Sequence, residues 1–199
     1  MIHGAPGPLP TVSTDTDWES HLPDAIDLSN PPVSSFDAFA DLLSDESGLP
    51  WAMVNWFGIR PGQQLFVGLS NPVGTDLPQA DRTMPELTHG WCPDVVENRR
   101  TLILHDTLAY AEFATNPVID EFGIRTYQGT PLIDPRTDRV WGTICAIGQN
   151  VRDRSVGRPS RMFMEHHSGL LVKAVCERSH PLAPRIACRT VEAHSDTTV

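Results

Sequence analysis

Cys92 is the residue best placed to do chemistry. It follows Gly90-Trp91 and precedes Pro93, and proline suits the first turn of a helix because its missing N–H would have no partner there. The spacing predicts Cys92 at the N-cap, where exposed N–H groups and the helix dipole stabilise a thiolate. A redox sensor or an enzyme nucleophile can use such a thiol. The alternative is a small apolar residue filling space beside Trp91, which is how most free cysteines behave.

Arg125 and Tyr127 lie two positions apart in a segment that reads as a strand, so their side chains share a face. Facing a pocket, the guanidinium would hold a carboxylate or phosphate while the phenol stacks or donates. The alternative is an ion pair of Arg125 with Asp120 or Glu121 that locks the corner at Gly123. Trp56, Phe66, Trp91, Phe113, Phe122 and Trp141, with Cys145, are the large apolar and thiol candidates for a pocket wall, since small-molecule sites are mainly apolar with few polar groups.

Metal chemistry finds little support. Cys92, Cys145, Cys176 and Cys188 form no C-x-x-C pair and no zinc spacing. His166 and His167 are adjacent on a helix and point about 100° apart, so they cannot act together as an i, i+4 pair would. His89 and His105 are isolated in sequence.

These residues need elements to position them. Residues 1–33 hold six prolines among Ser, Thr and Asp, a composition that buries too little apolar surface to offset its ordering entropy and predicts a disordered leader. From Ser34, Phe36, Phe39, Ala40, Leu42 and Leu43 recur at helical spacing until Gly48 and Pro50. Strands are expected over 51–57 and 64–69, joined through Arg60-Pro61-Gly62. Residues 70–88 show no clear periodicity. A short helix over 93–98, a strand over 101–105 and a partly helical stretch over 110–122 follow. Strands over 124–133 and 140–147 are joined by Asp134-Pro135-Arg136-Thr137-Asp138, a hairpin signal. A closing helix begins near Pro159, with Phe163, Leu170, Leu171, Ala174 and Val175 as its stripe, and stops at His180-Pro181. Residues 181–199 read as a flexible tail. The expected architecture is α+β: a five-stranded antiparallel sheet with the terminal helices on one face and irregular segments roofing a pocket on the other.

Charge narrows the partners. The net charge is −10, and residues 1–59 hold nine acids and no Lys or Arg, whereas the remainder carries 16 acids and 15 bases. An acidic face repels phosphate backbones and argues against nucleic acid. Arg152, Arg154, Arg158 and Arg161 cluster without the interleaved aromatics of a stacking platform. No apolar run approaches the roughly 20 residues of a membrane span. The opening residues carry neither a basic patch nor an apolar segment, which predicts no secretory signal and cytoplasmic residence.

Three blocks, HGWCPDVVENRR, FATNPVIDEFGIRTYQGTPLID and VWGTICAIG, resemble the GAF family of small-molecule sensor domains. The resemblance covers residues 34–180 and is strongest over 82–149. It implies a regulatory domain that senses a small molecule and dimerises through helices 34–47 and 159–179, with output to a signalling partner in trans. Neither ligand nor cofactor is specified: the family's cyclic-nucleotide set needs a lysine where this chain has only Lys173, and the bilin type needs a Cys that is absent from residues 107–122. Two other readings stand beside it. One is a thiol enzyme, because Cys92 resembles one of three cysteines in the GAF branch that reduces free methionine-R-sulfoxide; the other two have no counterpart. The other is a ligand-free interaction module with a side-chain-filled pocket.

Overall fold

The computed structural model of the chain describes residues 34–60, 62–70, 82–85 and 88–178. The expectations for the leader and the C-terminal tail fall outside these residues. The elements run α1 (Ser34–Ser47), β1 (Trp51–Arg60), β2 (Gln63–Leu69), β3 (Thr83–Pro85), α2 (Cys92–Asn98), β4 (Leu102–Leu104), α3 (Pro117–Phe122), β5 (Thr126–Ile133), β6 (Val140–Gly148) and α4 (Gly157–Arg178). The six strands form one antiparallel sheet in the order β3-β2-β1-β6-β5-β4. The sixth strand, β3, is a three-residue edge within the stretch whose sequence shows no periodicity; so short a segment has too few residues to reveal alternation.

The turns explain the topology. Gly62 sits at φ 71° and Arg60 pairs with Gln63, the left-handed geometry of a two-residue hairpin. Gly48 at φ 65° ends α1, its N–H donating to the Ser44 carbonyl. In the β5–β6 turn, Asp134 is fully buried and accepts from the Arg136 N–H at 2.9 Å and the Thr137 hydroxyl at 3.0 Å. Burial pushes the Asp134 carboxyl up, but the bonds from Arg136 and Thr137 outweigh it and hold it below its ordinary value.

Two cores lie on opposite faces of the sheet. On one, α1 and α4 cover Ala52, Val54, Trp56, Leu65, Val67, Leu132, Trp141, Ile144 and Ala146. α1 contributes Phe36, Ala40 and Leu43, while Leu42 is exposed. α4 contributes Met164, His167, Ser168, Leu171 and Val175, positions i, i+3, i+4, i+7 and i+11 of one helical face. The expected stripe is therefore rotated: Leu170 and Ala174 face outward, and Met164 takes the buried place. His167 is accommodated there because its ring nitrogens reach the Phe163 carbonyl at 2.9 Å and Glu46 at 3.0 Å.

On the other face, α2, α3 and the turns beside them cover Trp51, Met53, Phe57, Phe66, Leu69, Leu104, Tyr127 and Cys145. Two bulges set which residues face which way. Val54 pairs with Gly68 but Asn55 pairs with Phe66, so β2 carries an extra residue there. Leu132 pairs with Gly142 but Ile133 pairs with Val140, leaving Trp141 as the extra residue of β6. An extra residue breaks the period-two alternation, and Trp141 turns toward the helices. Among the described residues, no helix is long and apolar enough to cross a membrane.

Candidate functional site

The second face holds a partly open cavity of about 40 Å³. Its wall is Met53, Asn55, Gln64, Phe66, Leu69, Met84, Gly90, Trp91, Cys92, Val118, Phe122, Ile124, Tyr127, Cys145 and Ile147. Strands β1, β2, β5 and β6 supply the floor. The Gly90-Trp91-Cys92 turn, α3 and Ile124 supply the roof.

The roof is held by Asn116. Its side-chain amide donates to the Gly90 carbonyl at 2.7 Å and accepts from the Gly90 N–H at 2.9 Å. The same oxygen caps α3 through the Val118 N–H. Gly90 adopts φ 75°, where a side chain would be strained, so the chain turns sharply before α2 and presents Trp91 and Cys92 inward. Trp91 is the N-cap and Cys92 the first helical residue, one position beyond the N-cap expected for Cys92. Pro93, moved with it, occupies the second position.

The floor beneath Cys92 is polar and dense with sulfur. Asn55 is fully buried, and its Nδ2 lies 3.0 Å from Cys92 Sγ, 3.3 Å from Cys145 Sγ and 3.2 Å from Thr143 Oγ1. The Tyr127 hydroxyl lies 3.3 Å from Cys92 Sγ. Both cysteines are free thiols and buried. Burial pushes the Cys92 thiol up, but hydrogen bonds from Cys145, Thr143, Tyr127 and Asn55 outweigh it, and the net direction is down. Cys145 moves well up because its proton is engaged by Cys92, with burial adding to the effect. Tyr127 is also pushed well up, first by burial and then by the neighbouring sulfur. Cys92 is thus shifted down and Cys145 and Tyr127 up, and the Cys145 thiol donates to Met53 Sδ at 4.0 Å.

Gly129 makes room for this arrangement. A Cβ at Gly129 would overlap the Tyr127 hydroxyl, and the bare backbone lets the phenol lie along β5 toward Cys92. Trp91 packs against the same ring, with centroids 5.3 Å apart. Two buried polar atoms of residues that line the cavity, Asn55 Oδ1 and Trp91 Nε1, have no hydrogen-bond partner among the described residues.

Of the residues expected to face a pocket, Phe66, Trp91, Cys92, Phe122, Tyr127 and Cys145 line the cavity. Phe113 packs against the same cluster without reaching the cavity wall. Trp56 and Trp141 do not belong to it. They stack on each other on the helix face, with centroids 6.0 Å apart, and Phe36 stacks on Trp56. Arg125 precedes β5 rather than lying in it, and does not line the cavity. It pairs with Asp106 at 2.8 Å, not with Asp120 or Glu121. Asn55 was not singled out from the sequence; the signal available was one amide among the apolar residues of β1. Gln64, Met53 and Met84 were also missed.

Elsewhere, a groove of about 400 Å³ runs beside α4, lined by Arg99, Arg100, Thr130, Arg161 and Glu165 among others. It gathers exposed charges but no buried reactive group. Among the described residues, no three His, Cys, Asp or Glu side chains converge as a metal site.

A sheet flanked by terminal helices on one face and a roofed cavity on the other is the geometry that the resemblance implies. The GAF domain profile matches residues 31–177. The chain belongs to the GAF domain family. No curated protein matches its sequence. Solved structures share the fold at low identity. Free methionine-R-sulfoxide reductase from Neisseria meningitidis, in complex with its substrate, has TM-score 0.54 and 16% identity, over 75% of this chain and 80% of that one. The GAF domain of Acinetobacter phosphoenolpyruvate-protein phosphotransferase has TM-score 0.56 and 16% identity, over 76% and 85%. The phycocyanobilin-bound GAF domain of a cyanobacterial phytochrome has TM-score 0.53 and 11% identity, over 75% and 88%. These likenesses establish the GAF fold, which carries both sensors and a reductase.

Proposed function

We propose that this GAF domain senses a small molecule in the cavity and passes the signal to a partner in trans, or through self-association of α1 and α4. The observation that carries the reading is the pair of buried, unpartnered polar atoms, Asn55 Oδ1 and Trp91 Nε1, on residues that line the cavity. A buried polar group without a partner costs about 1–3 kcal/mol, and a ligand offering one donor and one acceptor would recover that. The size limits the candidates. Pockets for drug-sized ligands measure about 300–1,000 Å³, so a cavity of about 40 Å³ suits a compact ligand. A larger one would require the roof at Gly90 and α3 to lift.

Signalling follows by population shift. Ligand binding would order the roof, which rests on β5 and β6, and α4 packs against the other side of the same strands. Only a ligand with different affinity for two arrangements of the helices can shift them. Native mass spectrometry of gently purified protein tests the first step. A bound small molecule released on denaturation supports the sensor. A clean apo dimer that no metabolite stabilises against heat would favour a ligand-free interaction module instead. Spin-label distances between copies of α4, unchanged at saturating ligand, would remove the dimer-based mechanism.

The alternative of a thiol enzyme is favoured by one observation, the hydrogen-bonded, acidic Cys92. Turnover of free methionine-R-sulfoxide that disappears in Cys92→Ser would support it. A complete lack of turnover with a dithiol reductant would end it.

A further inference from the structure

We infer that Cys92 and Cys145 form a reversible disulfide when a small peroxide enters the cavity, giving the domain a covalent input separate from ligand binding. Two sulfurs from distant parts of the chain meet here: one amide nitrogen, Asn55 Nδ2, lies 3.0 Å from Cys92 Sγ and 3.3 Å from Cys145 Sγ. The two sulfurs thus flank one amide nitrogen on the same buried wall. Both reach the cavity wall, so an oxidant there meets both. The surroundings divide the roles. Asn55 donates to both sulfurs, more closely to Cys92, and the Tyr127 hydroxyl lies 3.3 Å from Cys92 alone, which favours the Cys92 thiolate, the nucleophilic form. The Cys145 thiol donates to Met53 Sδ at 4.0 Å and so keeps its proton.

The reaction balances with hydrogen peroxide as the oxidant. The Cys92 thiolate attacks one peroxide oxygen, the O–O bond breaks, and the departing hydroxide takes up a proton as water. Cys92 is then a sulfenic acid. The Cys145 sulfur attacks the Cys92 sulfur, the S–O bond breaks, and hydroxide leaves with the Cys145 proton as a second water. Two thiols and one peroxide thus give one disulfide and two waters, with two electrons passing from sulfur to oxygen. The cavity selects the oxidant. A space of about 40 Å³ admits a molecule of two heavy atoms and is too small for glutathione disulfide. A small dithiol reductant regenerates the pair by exchange.

Peptide mapping of the folded full-length chain, treated with hydrogen peroxide and alkylated without reduction, tests this. The expected product has lost the mass of two hydrogens, yields one linked pair of peptides carrying Cys92 and Cys145, and reverts with dithiothreitol. Cys145→Ser should stall at a Cys92 sulfenic acid that dimedone traps, while a Cys176→Ser, Cys188→Ser double variant should still form the link. Tyr127→Phe keeps both thiols and the ring but removes one donor to Cys92. It should slow the reaction roughly tenfold, the consequence of one lost hydrogen bond to an ionised sulfur. The inference is overturned if both thiols stay alkylatable after peroxide treatment, if dimedone traps Cys92 equally in wild type and Cys145→Ser, or if Tyr127→Phe reacts at the wild-type rate. These are mass and rate readouts that need no bound ligand. The sensor reading can therefore fail while this one stands, and the reverse.

Discussion

The Asn116 side chain grips the backbone of Gly90 from both sides, donating to its carbonyl at 2.7 Å and accepting from its N–H at 2.9 Å. The two residues are 26 positions apart, and their junction joins α3 to the turn that delivers Cys92. Asn116→Ala removes both bonds and the α3 cap. We expect a loss of about 1–3 kcal/mol in urea unfolding, with faster amide exchange concentrated over residues 88–96. Exchange spread evenly over the sheet would show that Asn116 does not hold the roof.

Gly129 and Tyr127 are matched. An added Cβ at Gly129 occupies the place of the Tyr127 hydroxyl, so Gly129→Ala must displace the phenol from Cys92. Overpacking of this kind costs about 1–3 kcal/mol. The double variant Gly129→Ala, Tyr127→Phe should be less destabilised than the sum of the single changes, because removing the hydroxyl relieves the conflict. Strict additivity in chemical denaturation would contradict the assignment.

The Trp56–Trp141 stack belongs to the helix-side core, where both rings are almost fully buried. Trp141→Ala should lower stability by about 3–5 kcal/mol through lost burial and a residual void. A shift in the denaturation midpoint with an unchanged slope would report this cleanly. A loss below about 1 kcal/mol would mean that the bulge lets β6 collapse around the missing ring.

Acid should weaken the fold through Asp106. The Arg125 guanidinium, at 2.8 Å, holds the Asp106 carboxyl below its ordinary value, with the Leu108 N–H assisting against partial burial. A depressed folded value means the stabilisation is complete above the unfolded carboxyl value of about 3.9 and is lost as pH falls through the folded one. Stability should thus decline on acidification below about pH 4. Asp106→Asn should make the decline shallower, as read from urea midpoints across that range. An identical slope in the variant would show that other carboxylates carry the acid sensitivity.

Much of the frame was legible in the chain because local chemistry sets it. Gly-Trp-Cys-Pro marks a helix start, Asn116-Pro117 a break in the helical stretch over 110–122, and Asp134-Pro135-Arg136-Thr137-Asp138 a hairpin, since these residues restrict the backbone within a few positions. β3 escaped notice for its brevity. The stripe of α4 was misplaced by one helical step because Met164 and Leu170 are both apolar and only contact with the sheet distinguishes them.

Local sequence sufficed for the helices, for five of the six described strands, for the α+β class and for a thiol at the start of α2. Tertiary structure alone decided which face each residue meets. In β1, the run Trp51-Ala52-Met53-Val54-Asn55-Trp56-Phe57 is apolar on both sides apart from Asn55, because the sheet is buried on both faces and alternation carries no signal there. The bulge at Trp141 reversed another side chain without any local mark. The meeting of Asn55, Cys92, Tyr127 and Cys145 was likewise invisible. It joins residues up to 90 positions apart, and such proximity follows from strand pairing and register, which are properties of the folded sheet and not of any segment within it.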